Sequence, residues 1–181
     1  MRTTYMRPLN AAALLLTLST AAQAGQWRVR ARESFNTGQV NLGDGRGARN
    51  FRGLSSDLNV FYEEPFKRLV GLTFQRGGLS NGNESLTATT IGVEGKIFPT
   101  QRARYLFARG GLLAQALDPA GPAKDFWNYG FGLGTGVEIP VKKVGLAPEI
   151  GGRFLWGARG RSVRTLYISL GIHFYALPAF K

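Results

Sequence analysis

One histidine and no cysteine occur among the 181 residues, which narrows the chemistry that the side chains could perform. Thiol nucleophiles and thiolate metal sites are excluded. His173 could act as a general base towards Ser169, with Glu149 orienting the imidazole ring, as in a serine hydrolase. The same histidine could instead be a hydrogen-bonded group inside the fold, which is the interpretation we favour. We therefore assign no catalytic residue, no cofactor and no metal site.

A second group of ionisable residues recurs at alternate positions of segments that are otherwise apolar or rich in glycine. Basic and acidic members nearly balance, and buried charges are tolerated only when they are paired. They predict an interior polar network formed by Arg30, Asp57, Glu94, Arg109, Glu138, Glu149, Arg153 and His173. Counting along the hairpins places Glu94 near Arg109 and Glu149 near His173. The alternative interpretation is a narrow ion path through the same groups.

The segment Trp127–Pro140 indicates which kind of element positions these residues. Apolar or aromatic side chains and one threonine occupy every second position from Tyr129 to Ile139, with four glycines and Glu138 between them. A strand sends successive side chains to opposite faces. A row of glycines fits the crowded inner side of a closed sheet, so the apolar row faces outward. Apolar-out and polar-in alternation is typical of a strand in a membrane-spanning barrel.

This alternation recurs in eight segments, each long enough to cross a bilayer as a tilted strand. The predicted strands are Gln26–Asn36, Gly53–Tyr62, Arg68–Arg76, Thr87–Phe98, Arg104–Leu117, Trp127–Pro140, Leu146–Gly157 and Arg164–Ala176. Long connections follow the first, third and fifth strands, and short ones follow the second, fourth and sixth. Glu33 interrupts the apolar face of the first strand near one end. The sequence thus predicts an all-β fold, an eight-stranded antiparallel up-and-down transmembrane β-barrel.

The first 24 residues have the pattern of a cleaved export signal. Arg2 and Arg7 precede an apolar stretch, and a small-x-small cleavage site ends at Ala24. We expect a signal peptide over residues 1–24 and a barrel domain over residues 25–181. The formal net charge of +12 indicates an anionic neighbour, and for an exported protein lipid phosphate is favoured over nucleic acid.

In these features the mature chain resembles the small eight-stranded outer-membrane barrels of the OmpA, OmpX and Opa family. The resemblance is one of pattern, and the segment Ser169–Phe174 is similar to the last-strand assembly signal of such barrels. It implies localisation in the cell outer membrane and assembly by the barrel assembly machinery through the last strand. We expect a monomer that is not an enzyme and binds no nucleic acid, with a structural or surface-interaction role carried by the first and third outer loops.

Arginines are concentrated in or beside the predicted outer loops. Their guanidinium groups could bind lipopolysaccharide phosphates, for which a bidentate fork is suited, or they could form a solvated rim. The residues concerned are Arg46, Arg49, Arg52, Arg159, Arg161 and Arg164.

Two other classes of protein remain open at this point. One is an outer-membrane lipid A-modifying hydrolase that uses His173, although the His-x-Ser-Asn motif of the lipid A deacylases is absent. The other is a soluble lipocalin-like ligand-binding barrel, because Gly25-Gln26-Trp27 matches a short signature of that family. A soluble barrel would turn its apolar face inward, so the direction of Phe131, Leu133, Ile168 and Leu170 decides between the barrel classes.

Overall fold

The computed structural model describes residues 27–63, 68–99, 105–119, 126–141 and 144–174, which form one antiparallel sheet. Its strands are β1 Trp27–Asn41, β2 Ala48–Glu63, β3 Arg68–Ser80, β4 Ser85–Ile97, β5 Leu106–Pro119, β6 Phe126–Val137, β7 Ile139–Val141, β8 Val144–Gly157 and β9 Ser162–Phe174. Each long strand pairs with its neighbour in the chain. The sheet closes because β1 also pairs with β9.

The barrel has eight strands, because β7 continues β6 in the same register against β8. Gly136 pairs with Glu149, and three positions later Ile139 pairs with Leu146. Glu138 separates the two segments, and its backbone N–H donates to the Tyr105 carbonyl oxygen over 2.6 Å. The predicted eight-stranded up-and-down barrel is therefore confirmed.

The pairing register determines how strongly the strands tilt. From Ser34, the row of paired residues that runs through β2, β3 and β4 reaches Leu117 on β5. The row that runs the other way, through β9, β8 and β6, reaches Phe107 on the same strand. The two ends lie ten positions apart. A shear of this size in an eight-stranded barrel gives a tilt of about 40°.

The exterior carries the apolar face of every strand. Phe131, Leu133, Ile168 and Leu170 are all exposed, and Ile168 reaches 66 %. The charged residues Arg30, Glu94 and Arg153 are buried inside the barrel. This arrangement excludes the lipocalin-like alternative, in which the apolar side chains would line a central cavity.

The strands at one end of the barrel extend further than the sequence pattern indicates. Most of the predicted loop at residues 37–52 is paired strand, and the connection between β1 and β2 shrinks to residues 42–47. The connection between β3 and β4 likewise covers only residues 81–84. The expected long connections after the first and third strands are wrong, because backbone pairing continues where the outward side chains turn polar. The connection after β5 includes residues 120–125, which lie outside the described part of the chain.

Glu33 is placed differently from the sequence interpretation. It is the seventh of the 15 residues of β1, so it lies midway along the strand and not near one end. Its side chain is exposed on the outer face.

Within the described ranges, no helix is long and apolar enough to cross a membrane. A single 3₁₀ turn, Ala158–Gly160, joins β8 to β9, and Arg159 within it has a φ of 58°. We call the end of the barrel with this turn the loop end, and the opposite end, where β1 begins and β9 finishes, the terminal end.

Candidate functional site

The lumen of the barrel is occupied by side chains at several levels. Inward positions of every long strand contribute, because residues at period two share the inner face. Near the middle is a network of charged groups, below it towards the terminal end is a lysine–glutamate–histidine group, and at the loop end is an apolar cluster.

Glu149 on β8 is the hub of the central network. Its carboxylate accepts hydrogen bonds from Arg30 over 3.0 Å, from Arg32 over 2.8 Å and from the Tyr167 hydroxyl over 2.6 Å. Arg109 forms a further ion pair with Glu149 over 2.7 Å. Three guanidinium groups thus converge on one buried carboxylate, which can compensate their burial only with help from other acids.

Two further carboxylates supply that help. Asp57 pairs with Arg32, and Glu94 accepts from Arg109 over 2.7 Å. The structure therefore places Glu94 beside Arg109, as hairpin counting suggested. Tyr167, at the centre, also accepts a hydrogen bond from Arg109 over 2.8 Å.

Below this network, Lys96 forms an ion pair with Glu138. The Lys96 ammonium also lies 3.9 Å from the centre of the Phe107 ring, a cation–π contact. His173 Nε2 lies 3.5 Å from Lys96 Nζ, and its Nδ1 lies 3.7 Å from Glu138. The expected approach of Glu149 to His173 is wrong, because Glu149 pairs in register with Ser169, four residues before the histidine.

This placement gives no support to hydrolase chemistry at His173. The ring is fully buried in the barrel. The Ser169 hydroxyl lies 3.5 Å from the backbone carbonyl oxygen of Glu149, to which it donates. Among the described residues, the ring nitrogens of His173 contact Lys96 and Glu138, and Ser169 is not one of their partners.

Above the central network, Arg153 leads into a layer of uncharged polar groups. Its Nη1 donates to Asn36 over 3.3 Å, and its guanidinium lies 4.8 Å from the centre of the Tyr167 ring. Ser55 accepts hydrogen bonds from Asn36 over 2.8 Å and from Gln75 over 2.5 Å. The gap between these residues is about 10 Å³, enough for at most one water.

An apolar cluster, which we call the apolar cap, fills the lumen at the loop end. Every long strand contributes to it. Its buried members are Val40, Phe51, Leu79, Leu86, Ala88, Leu113, Leu117, Phe126, Leu155 and Val163.

Sequence reasoning missed the apolar cap and three members of the network. Val40, Phe51, Leu79 and Leu86 fell in predicted loops, so their alternation was not followed. Arg32, Lys96 and Tyr167 were predicted to point inward but were left out of the eight residues assigned to the network. Continuing the period-two phase beyond each predicted strand end would have found the cap.

The arginines at the loop end fall into three groups. Arg49 pairs with Asp44 over 2.7 Å and with Glu84 over 2.6 Å, and Arg46 pairs with Glu84 over 3.5 Å. Arg161 donates to the Ala158 carbonyl oxygen over 2.8 Å. The remaining three have no carboxylate partner among the described residues: Arg52, Arg159 and Arg164.

The outward direction of Arg52 and Arg164 is set by their strands. Arg52 on β2 pairs with Thr37, and Arg164 on β9 pairs with Gln39, so the two arginines flank β1. We call the band of exposed apolar side chains around the barrel, which includes Leu54, Leu133, Leu166 and Ile168, the apolar belt. The side chains of Arg52 and Arg164 are exposed on the outer face, directly above this belt.

Comparison with solved structures identifies the class of this fold. Neisserial surface protein A superposes with a TM-score of 0.62 at 17 % identity, over 82 % of this chain and 96 % of that one. Ail, the attachment invasion locus protein of Yersinia pestis, superposes with a TM-score of 0.50 at 14 % identity, over 82 % of this chain and 99 % of that one. Neither a protein-family model nor a curated protein sequence matches. The chain therefore has the fold of the small OmpA/OmpX-like outer-membrane barrels.

Proposed function

We propose that this protein is an integral outer-membrane barrel with a closed lumen, and that its role is structural or one of surface interaction. The filled lumen carries the proposal, because the central network and the apolar cap lie in series between the two ends. Eight strands enclose a space that side chains just fill. The exposed apolar belt and the fold shared with outer-membrane barrels support the location.

Conductance measurements test the closed lumen. We expect purified protein in planar bilayers to produce no unitary currents. A variant with a reduced cap, Phe51→Ala with Phe126→Ala, should also remain silent, because the charged network still blocks the lumen below it. Steady unitary currents from the unmodified protein would contradict the proposal and favour the narrow ion path.

We further propose that the loop-end surface contacts lipopolysaccharide phosphates through Arg52 and Arg164, with Arg159 nearby. Their charge is not neutralised by a carboxylate in the described chain, whereas Arg46 and Arg49 are already paired. The boundary of the apolar belt is where lipid phosphate lies, and guanidinium forks bind phosphate in a bidentate manner. Arg161 has no carboxylate partner either, but its guanidinium donates to the Ala158 carbonyl oxygen and lies 4.6 Å from the centre of the Phe126 ring, so the candidate set narrows from six arginines to three.

The lipid contact is tested by the heat-induced loss of compact gel migration. Lipopolysaccharide should raise the unfolding temperature of the unmodified barrel, and the double variant Arg52→Gln with Arg164→Gln should lose most of that rise. Arg68→Gln, on the outer face near the terminal end, is the matched control and should keep it. An equal rise with dephosphorylated lipopolysaccharide would contradict phosphate recognition.

The proposal includes export through the signal peptide at residues 1–24 and assembly through the last strand. The segment Ser169–Phe174 lies in β9, the strand that closes the barrel against β1. A chain lacking residues 1–24 should stay in the cytoplasm, and a Phe174→Ser variant should reach the outer membrane in reduced amount. Normal levels of both variants in the outer membrane would contradict this route.

A further inference from the structure

A polar row runs through the exposed apolar belt of the barrel on β1 and β2 and reaches the loop-end boundary of the belt on β3. Glu33 pairs in register with Ser56, and Ser56 pairs with Arg76. All three side chains are exposed on the outer face. We call this set the polar row.

The residues around the polar row belong to the apolar face. Phe35 and Leu54 lie beside it towards the loop end, and Phe74 lies beside it towards the terminal end; all three are large exposed apolar side chains. Glu33 lies midway along β1, so it would meet the hydrocarbon interior of the bilayer. Ionisable groups at this depth are costly and typically mark a functional contact.

Neither charge is neutralised within the described chain. Glu33 and Arg76 are separated by one strand, about 10 Å between backbones, and form no ion pair with each other or with another described residue. Glu33 within the apolar belt and Arg76 at its loop-end boundary, one strand apart, need a partner that offers a base and an acid in the opposite order.

We propose that the polar row is the interface between two copies of this chain in the membrane. A two-fold axis along the membrane normal and near Ser56 exchanges the two sides of the row, so Glu33 of one copy lies on the same side as the partner's Arg76. Because the strands tilt by about 40°, the two residues differ in height by about 6 Å, a distance that the long arginine side chain spans. The reciprocal pair forms on the other side of the axis, as an isologous interface requires. Every charge that this interface removes from its surroundings is therefore paired. The proposed state is a dimer, whereas the sequence predicted a monomer.

Cysteine cross-linking tests the interface directly, because the chain contains no native cysteine. Ser56→Cys lies near the axis and should give a disulfide-linked dimer when outer membranes are oxidised. Leu133→Cys, exposed on β6 across the barrel, is the matched control. We expect at least a fivefold higher dimer yield from Ser56→Cys. Equal yields would overturn the proposal.

Charge exchange separates an interface between copies from a pair formed within one barrel. In the Ser56→Cys background, Glu33→Lys alone or Arg76→Glu alone should reduce the dimer yield, since each creates like-charge contacts across the axis. Co-expression of these two variants with different tags should restore cross-linking in mixed dimers, in which both pairs are opposite in sign.

Compact gel migration of each unheated variant verifies that its barrel is folded, so loss of cross-linking is not loss of the fold. A contact within one barrel could not be restored by mixing the two variants. Unchanged yields from the single variants, or mixed dimers no more abundant than like-with-like dimers, would overturn the proposal.

Discussion

Glu149 determines whether the interior of the barrel is electrically balanced. It accepts from three arginines and one tyrosine, and its side chain is fully buried. A charge pair buried in a folded protein costs a large desolvation free energy, and removal of one partner leaves the other uncompensated. The residue therefore matters more for stability than any ion pair at the rim.

We predict that Glu149→Gln destabilises the barrel by about 3 to 5 kcal/mol, because the amide leaves buried guanidinium groups without a counter-charge. The matched control is Glu63→Gln. Glu63 pairs with Arg28 over 2.8 Å but is partly exposed, so its loss should cost about 1 kcal/mol or less. Urea unfolding in lipid vesicles measures both. Similar losses from the two variants would show that the network is not the main electrostatic support.

The contacts of the network differ in how far they could be predicted from the sequence. Glu94 and Arg109 lie on adjacent strands of one hairpin, so counting from the turn brings them together. The contacts of Glu149 with Arg30 and Arg32 join β8 to β1 across the closed barrel. Those contacts depend on the shear of ten, and alternation along a strand contains no information about shear.

At the scale of elements, the glycines of β6 and β8 make room for the central network. Gly134 and Gly151 pair across the two strands. A side-chain carbon added at Gly134 would lie 2.7 Å from Glu149 Oε1, and one added at Gly151 would lie 2.5 Å from Tyr167 Cζ. The glycine row is therefore on the inner face because large side chains from neighbouring strands occupy that space.

We predict that Gly151→Ala destabilises the barrel by about 1 to 3 kcal/mol through overpacking against Tyr167 and the Leu133 backbone carbonyl oxygen. The next residue gives a matched control. A carbon added at Gly152 would lie 3.4 Å from Leu166 and Thr165, which is ordinary contact, so Gly152→Ala should cost less than about 0.5 kcal/mol. Urea midpoints of the two variants measure the difference. Equal effects would mean that the inner face is not crowded at this level.

The connection between β1 and β2 contains a carboxylate with a measurable pH response. The Arg46 backbone N–H donates to Asp44 over 3.1 Å, and Arg49 pairs with it over 2.7 Å. The Arg46 hydrogen bond first, and then the Arg49 charge, lower the pKa of Asp44 below its ordinary value of about 3.9. Because the folded pKa is depressed, its support for the loop is present at neutral pH.

We predict that this support is lost as the pH falls through the folded pKa of Asp44. Carboxyl carbon chemical shifts of the labelled barrel in micelles should give a titration midpoint below that of an unstructured peptide. The Arg46 amide should shift at the same midpoint, and in an Asp44→Asn variant it should no longer respond. An ordinary midpoint for Asp44 would contradict the hydrogen-bonded loop.

Strand existence and phase could be predicted at this scale, whereas strand ends could not. The apolar outer face of each strand ends at the edge of the bilayer. The predicted strands ended at the same positions, because they were predicted from apolar alternation. Backbone hydrogen bonding does not require apolar side chains, so Thr37 and Arg52 pair although both side chains are polar. The loop end therefore rises beyond the apolar belt, and its loops are shorter than alternation suggested.

For the molecule as a whole, closure of the barrel depends on a seam between residues far apart in the sequence. Ser34 on β1 lies opposite Ser169 on β9 across this seam, and opposite Ser55 on β2 across the first hairpin. All three side chains are buried in the lumen. Directly paired residues in antiparallel strands lie about 4.5 to 5.5 Å apart, within the range that a disulfide bridges.

We predict that a disulfide across the seam, Ser34→Cys with Ser169→Cys, stabilises the barrel by about 5 kcal/mol, against about 3 kcal/mol for Ser34→Cys with Ser55→Cys. The cause is chain entropy, because the seam bond closes a loop of almost the whole barrel and the hairpin bond closes a short one. Urea unfolding with and without reductant measures each contribution. If the seam pair fails to oxidise while the hairpin pair forms, β1 and β9 do not meet in this register, and the shear that brings Glu149 to Arg30 is wrong with it.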